Sequence, residues 1–212
     1  MLVVLTSLSL LCHFSVSSLS GYTRVVGVDF SHAVIDQMRH HQNEHEAEKQ
    51  EFEGRVHYLG MDARELSLSD QSVAAVVDKG LLDSVLSAYD RVHMWAKLQP
   101  DKPLPHQAAH DSLQAGHQVL DEISRVLMPG GVYVAVSYED PALRLPILRG
   151  HVLSYQHPAL RVAMEEEEEQ ERHMRGAGLE AGGSVRSDRF TRVEQRAFDE
   201  HHNFHLYTCT RA

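Results

Sequence analysis

Three short strand-like runs, each followed by an aspartate, constrain this chain more than any other feature. Val25, Val26 and Val28 sit in a strand expected over 24–30 that closes on Asp29. Arg55 to Leu59 reads as a second short strand, with Asp62 just past its end, and Val73 to Val77 as a third, closed by Asp78. Near-continuous apolar runs of this kind suit strands buried on both faces, the condition inside a parallel sheet. Helical patterns lie between them. Ser31 is a candidate N-cap, followed by Ala33, Val34, Ile35 and Met38 at helical spacing, and the helix turns polar from His40 before Gly54 ends it. Gly80 opens a helix carrying Leu82, Val85 and Leu86, and Leu113, Gly116, Leu120, Ile123 and Leu127 share one face of another.

Beyond that helix, Met128-Pro129-Gly130-Gly131 is expected to be a tight turn, and Val132 to Ser137 a fourth strand with Tyr138, Glu139 and Asp140 at its tip. Phe204 to Thr210 reads as a last strand, and the prolines at 100, 103 and 105 mark a surface insertion. The alternation of strand and helix predicts an α/β chain: a Rossmann-like, doubly wound, mostly parallel sheet with helices on both faces. We expect residues 1–24 to be an atypical N-terminal strand and helix segment. Residues 25–212 would form the main domain, with a flexible acidic and glycine-rich insertion over 163–188.

The opening stretch admits two readings. Met1 to Val16 is nearly uncharged and apolar, which resembles a signal-peptide core. It has no basic flank, is broken by Ser7, Ser9, His13 and Ser15, and is shorter than the roughly 20 apolar residues of a membrane span. A buried strand and helix opening the α/β domain is the favoured expectation; a secreted or tethered protein cleaved near Ser17 to Ser20 is the rival.

Bulk properties narrow the function. The 212 residues bound the chain to about one domain, and 42% hydrophobic content supports a sizeable core. A net charge of −10 disfavours nucleic acid and favours a small molecule or a basic protein partner. Two cysteines, Cys12 and Cys209, make neither a disulfide framework nor a zinc cage, so a reducing intracellular compartment is expected. Two histidine groups, His41 with His45 and His201, His202 with His205, lack a placed set of three or four ligands, so no metal is expected.

In open α/β sheets, ligands bind at the carboxyl ends of the strands. There Asp29 could accept from both hydroxyls of a ribose diol, because a carboxylate carries two acceptor oxygens. Asp62 would lie where an adenine amino group could donate to it, and Asp78 near a sulfonium and an attacking amine. The competing role for each is an ordinary loop acid or helix cap.

Taken in order, Val26-Gly27-Val28-Asp29-Phe30-Ser31, Met61-Asp62-Ala63, Asp78-Lys79-Gly80-Leu81-Leu82-Asp83 and Arg125-Val126-Leu127-Met128-Pro129-Gly130-Gly131 resemble the successive motifs of class I, seven-β-strand S-adenosylmethionine (SAM)-dependent methyltransferases. The Asp-Lys-Gly-x-x-Asp segment is similar to the branch that methylates lysines of elongation factor 1A and of citrate synthase. The run Ser137 to Pro146 looks most like the mitochondrial citrate synthase-directed members. The resemblance covers about Val25 to Leu148.

It implies a SAM cofactor and a protein-lysine acceptor, with citrate synthase the acceptor suggested. By position it implies that Asp29, Phe30 and Ser31 hold the ribose and flank the adenine, and that Asp62 and Ala63 contact the adenine. Asp78 and Lys79 would line the methyl-transfer end, and Glu139 and Asp140 would receive the cationic lysine. It also implies a mitochondrial location, although no Arg-rich targeting segment is visible; a cytoplasmic one is the alternative.

Two departures stand out. Leu81 replaces the threonine common in this branch, so the local pocket should differ. The acid-x-Gly-x-Gly loop that lets the backbone approach the methionine part of SAM is missing, since no glycine precedes Gly21 and no acid precedes Asp29. Side chains at Thr6 and Ser7 would crowd that end. An active enzyme and a methyltransferase-fold binding module with impaired catalysis are therefore the two functional expectations.

Overall fold

The computed structural model describes residues 1–6, 22–44, 55–99, 106–150, 189–197 and 204–212. Its elements in chain order are β1 (Leu2–Thr6), β2 (Val25–Asp29), α1 (His32–Glu44), β3 (Val56–Gly60) and β4 (Val73–Lys79). There follow α2 (Leu81–Val85), α3 (Ser87–Leu98), α4 (His106–Val126), β5 (Leu127–Ser137), α5 (Pro141–Leu148), β6 (Phe190–Ala197) and β7 (His205–Arg211). One seven-stranded sheet has the order β3-β2-β1-β4-β5-β7-β6. Pairing is parallel from β3 through β5, and β7 runs antiparallel to both β5 and β6. This is the Rossmann-like, mostly parallel α/β architecture expected.

The opening strand lies inside that sheet, third of its seven strands. Leu2–Thr6 pairs with β2 on one edge and β4 on the other, and Val3 and Leu5 are fully buried. The apolar, β-branched sequence of 2–5 therefore reflects burial on both faces: Val3 and Leu5 enter the main core, while Leu2 and Val4 join a smaller cluster with Val25 and Ala75. The helix expected after it, His45, His201, His202 and the 163–188 insertion lie outside the described residues.

Four features differ from the sequence expectation. Met128 to Gly131 is a bulge inside β5 rather than a turn before it. Leu127 pairs with Val73 and Val132 with Ala75, so four residues loop out opposite Ala74. Gly130 takes a positive φ of 74°, and a side chain on Gly131 would lie 2.8 Å from the Met128 carbonyl oxygen, so both glycines are required. The helix opened at Gly80 breaks at Leu86 into α2 and α3. Asp140 caps a helix, α5, by accepting from the Ala142 N–H at 2.8 Å, with Pro141 at its first position. The polar strand β6 closes the sheet edge.

The expected face of α4 is buried: Leu120 and Ile123 are fully enclosed, and Gly116 lets the helix approach Leu86 closely. No described helix is long and apolar enough to cross a membrane.

Candidate functional site: a cleft at the strand carboxyl ends

A cleft of about 480 Å³ opens beyond the carboxyl ends of β1, β2 and β3 and is closed on the other side by α2 and α4. Its apolar walls include Leu5, Val28, Met61, Ala63 and Val119. Phe30 stands at the rim, 79% exposed. An aromatic ring this open, beside an apolar slot, suits the face of a planar base.

Asp29 is the polar anchor. It ends β2, where the strand stops and Ser31 starts α1, and it is 7% exposed. Its Oδ1 accepts from the Ser31 N–H at 2.8 Å, while its buried Oδ2 has no hydrogen-bond partner. A buried carboxylate oxygen without a donor is costly, and its position in the cleft wall calls for a donor from a ligand. Ser31 itself acts at the helix start, its Oγ 3.5 Å from the Val34 N–H.

Asp62 also lines the cleft, but its oxygens are occupied. Oδ1 accepts from the backbone N–H of Arg64 at 2.9 Å and from Nε at 3.0 Å, and Oδ2 accepts from Nη2 at 2.6 Å. The Arg64 guanidinium holds the Asp62 carboxyl below its ordinary range. Ala63 sits between them, 8% exposed, in the cleft wall. Leu81, the departure noted in the motif, lines the opposite side with Ser84 and Val85.

The structure does not bring every expected residue to the cleft. Asp78 is 1% exposed and is not part of the cleft wall. It accepts from the Leu81 N–H at 2.8 Å, the Leu82 N–H at 3.1 Å and the Tyr133 hydroxyl at 2.8 Å. It therefore caps α2 and ties that helix to β5. Lys79 is exposed and Glu139 half-buried; neither lines the cleft, and Asp140 is committed to capping α5. Among the described residues no group of three or more His, Cys, Asp or Glu side chains is arranged to hold a metal ion.

Burial pushes the Asp78 carboxyl up to about 6, against the pull of its three donors. An acid raised in the folded state binds more protons folded than unfolded. Its contribution to stability is therefore complete below the unfolded value near 3.9 and is lost as pH rises through 6. Asp78→Asn is expected to remove this slope. The stability difference between the two proteins, followed by urea titration from pH 4 to pH 7, should shift by about 2–3 kcal/mol against the wild type. A pH-independent difference would show that Asp78 does not titrate in that window.

A buried charge cluster was not foreseen. Arg144, fully buried on α5, donates to Asp83 of α2 through Nε at 3.2 Å and Nη2 at 3.1 Å. It donates to Asp90 of α3 through Nη1 at 2.9 Å and Nη2 at 2.6 Å. The Ser137 hydroxyl and the Tyr138 N–H complete the shell of Asp83 at 2.5 and 3.1 Å. Asp83 and Arg144 both lie in segments singled out by their motifs, but a pairing 61 residues apart leaves no local signal.

Over 117 residues, 55% of its length, the chain is 31% identical to the bovine (Bos taurus) eEF1A lysine and N-terminal methyltransferase. Over 127 residues, 60% of its length, it is 28% identical to the mouse (Mus musculus) EEF1A lysine methyltransferase 4. The chain is thus similar in sequence to two proteins named as eEF1A lysine methyltransferases. The match spans 13% of the bovine relative and 42% of the mouse one, so less than half the length of either. No family model matches the chain. Among solved structures, the PH0226 protein of Pyrococcus horikoshii OT3 superposes with a TM-score of 0.50 at 16% identity, covering all of this chain and 83% of that one. That likeness supports the fold seen here.

Proposed function

We propose that the chain is a SAM-dependent methyltransferase that binds the nucleoside end of SAM in the cleft and methylates a protein lysine. One observation carries the reading: Asp29, in the wall of a cleft whose apolar residues suit an adenine ring, carries a buried Oδ2 with no hydrogen-bond partner. A ribose hydroxyl would satisfy that oxygen, Phe30 would cover the base, and Val28, Met61 and Ala63 would enclose it. The eEF1A lysine methyltransferase relatives support the same chemistry.

Bound there, SAM supplies an electrophilic methyl group for a neutral amine. The protein's share is positioning and the exclusion of water from the apolar walls. A free lysine has a pKa of about 10.4, so the acceptor must lose a proton on entry, which desolvation favours. Glu139 and the exposed Asp140 stand at the carboxyl end of β5, where their charge would draw a cationic side chain. Two acceptors follow from the similarities: elongation factor 1A from the named relatives, and citrate synthase, with a mitochondrial location, from the likeness of Ser137 to Pro146.

The test is a calorimetric titration with SAM, followed by transfer of labelled methyl to purified elongation factor 1A and citrate synthase. Micromolar binding and label on a lysine of either protein are expected. Binding without transfer to any lysine would favour the binding-module reading, and no binding by a folded sample would remove the proposal.

A further inference from the structure

Resting on the nucleoside reading of the cleft, we infer that Arg64 is a built-in competitor for the base end of the site, which a ligand must displace to reach Asp62. A carboxylate offers about four lone-pair positions. At Asp62 three N–H groups of Arg64 take most of them, with the single Nε–H shared between the two oxygens. Oδ1 takes the backbone N–H at 2.9 Å and Nε at 3.0 Å, and Oδ2 takes Nε at 3.1 Å and Nη2 at 2.6 Å. The donor fork of the guanidinium thus fills the edge of Asp62 that an exocyclic amino group would need.

Both residues line the cleft, and the pair is half-exposed, with 52% of the Arg64 side chain and 45% of the Asp62 side chain accessible. An ion pair this open is weak enough for a ligand to break, yet it makes the ligand exchange a charged donor for a neutral one. The contrast with Asp29 is direct. That carboxylate has a buried oxygen without a partner, whereas both oxygens of Asp62 already accept from Arg64.

The two contacts from Arg64 separate cleanly by substitution. The backbone N–H that orients Asp62 survives in Arg64→Ala, while the competing fork is removed. Arg64 is exposed and leaves no cavity, so the variant should fold as the wild type does.

Adenosine is the sharpest probe, because it is neutral and interacts with salt only through the protein. Titrated calorimetrically, Arg64→Ala is expected to bind adenosine about two- to fivefold more tightly than wild type. Raising the salt from 0.05 to about 0.5 M should tighten wild-type binding by a similar factor and leave the variant unchanged. In an Asp62→Asn background, Arg64→Ala should have no further effect, because the two residues act through one contact. Equal or weaker adenosine binding by Arg64→Ala would overturn the inference and make Arg64 either a bystander or a residue that holds the base. No adenosine binding by the folded wild type with binding regained in Arg64→Ala would support it in its strongest form. Absence of binding in both would overturn the nucleoside reading together with this inference.

Discussion

Replacing Arg144 with alanine is expected to cost the fold about 3–5 kcal/mol, a large share of the roughly 5–15 kcal/mol that keeps a typical domain folded. The guanidinium is fully buried, and its two partners, Asp83 and Asp90, are 3% and 8% accessible. Four hydrogen bonds join it to carboxylates on α2 and α3. Removing the cation leaves two negative groups facing each other out of water, and both must be protonated or drag solvent inward. The damage should be specific to charge imbalance. Arg144→Met combined with Asp83→Asn and Asp90→Asn should recover much of the loss, since buried ion clusters often exchange for neutral groups of similar volume at little cost. Urea midpoints for the single and triple variants measure this directly. A loss below about 1 kcal/mol for Arg144→Ala would mean that water reaches the cluster and screens it.

Asp29→Ala is expected to weaken SAM binding by roughly a hundredfold. A hydrogen bond to a charged group contributes about 1.5–3 kcal/mol, and the unpartnered Oδ2 stands to gain at least one. Asp29→Asn separates binding from stability. In the protein without ligand, the unpartnered carboxylate oxygen is a burden, so the amide should leave the melting temperature unchanged or higher. With ligand, the same amide should still lower affinity, because its NH2 cannot accept from a hydroxyl. A drop in affinity without a drop in stability marks a residue kept for its ligand. If stability and affinity fall together, Asp29 holds only its own turn through the Ser31 N–H.

The parts of the fold that were legible in the sequence are those where burial dictates composition. β1, β2 and β4 lie inside the parallel region, and their Val and Leu runs announce it. β6 was not legible because it is an edge strand bonded only to β7, so Thr191, Arg192 and Arg196 can face solvent and no apolar run marks it. α5 was missed although Asp140 and Pro141 form a recognisable start, since Pro146 within it argues against a helix.

The site was legible in part for a related reason. A strand-end position locates an acid near the carboxyl edge but not the way its side chain turns. Asp29 lines the cleft with one oxygen unpartnered, whereas Asp78 turns toward Tyr133, 55 residues later, and the first turn of α2. Arg64 escaped notice because a single arginine just past Asp62 reads as an ordinary surface charge.

The interior position of β1 carries a mechanical consequence. Among the described strands it is the sole hydrogen-bonded link between the β3-β2 pair and the β4-β5-β7-β6 group. Asp29, Met61 and Asp62 ride on the first group, and Leu81, Ser84 and Val85 follow the second. Peeling β1 away would therefore open the sheet like an unlaced seam and pull the two walls of the cleft apart in one event. A ligand gripping both walls would act as a second lacing across the seam. Its binding would register as slowed amide exchange along Leu2–Thr6, in the strand behind the ligand.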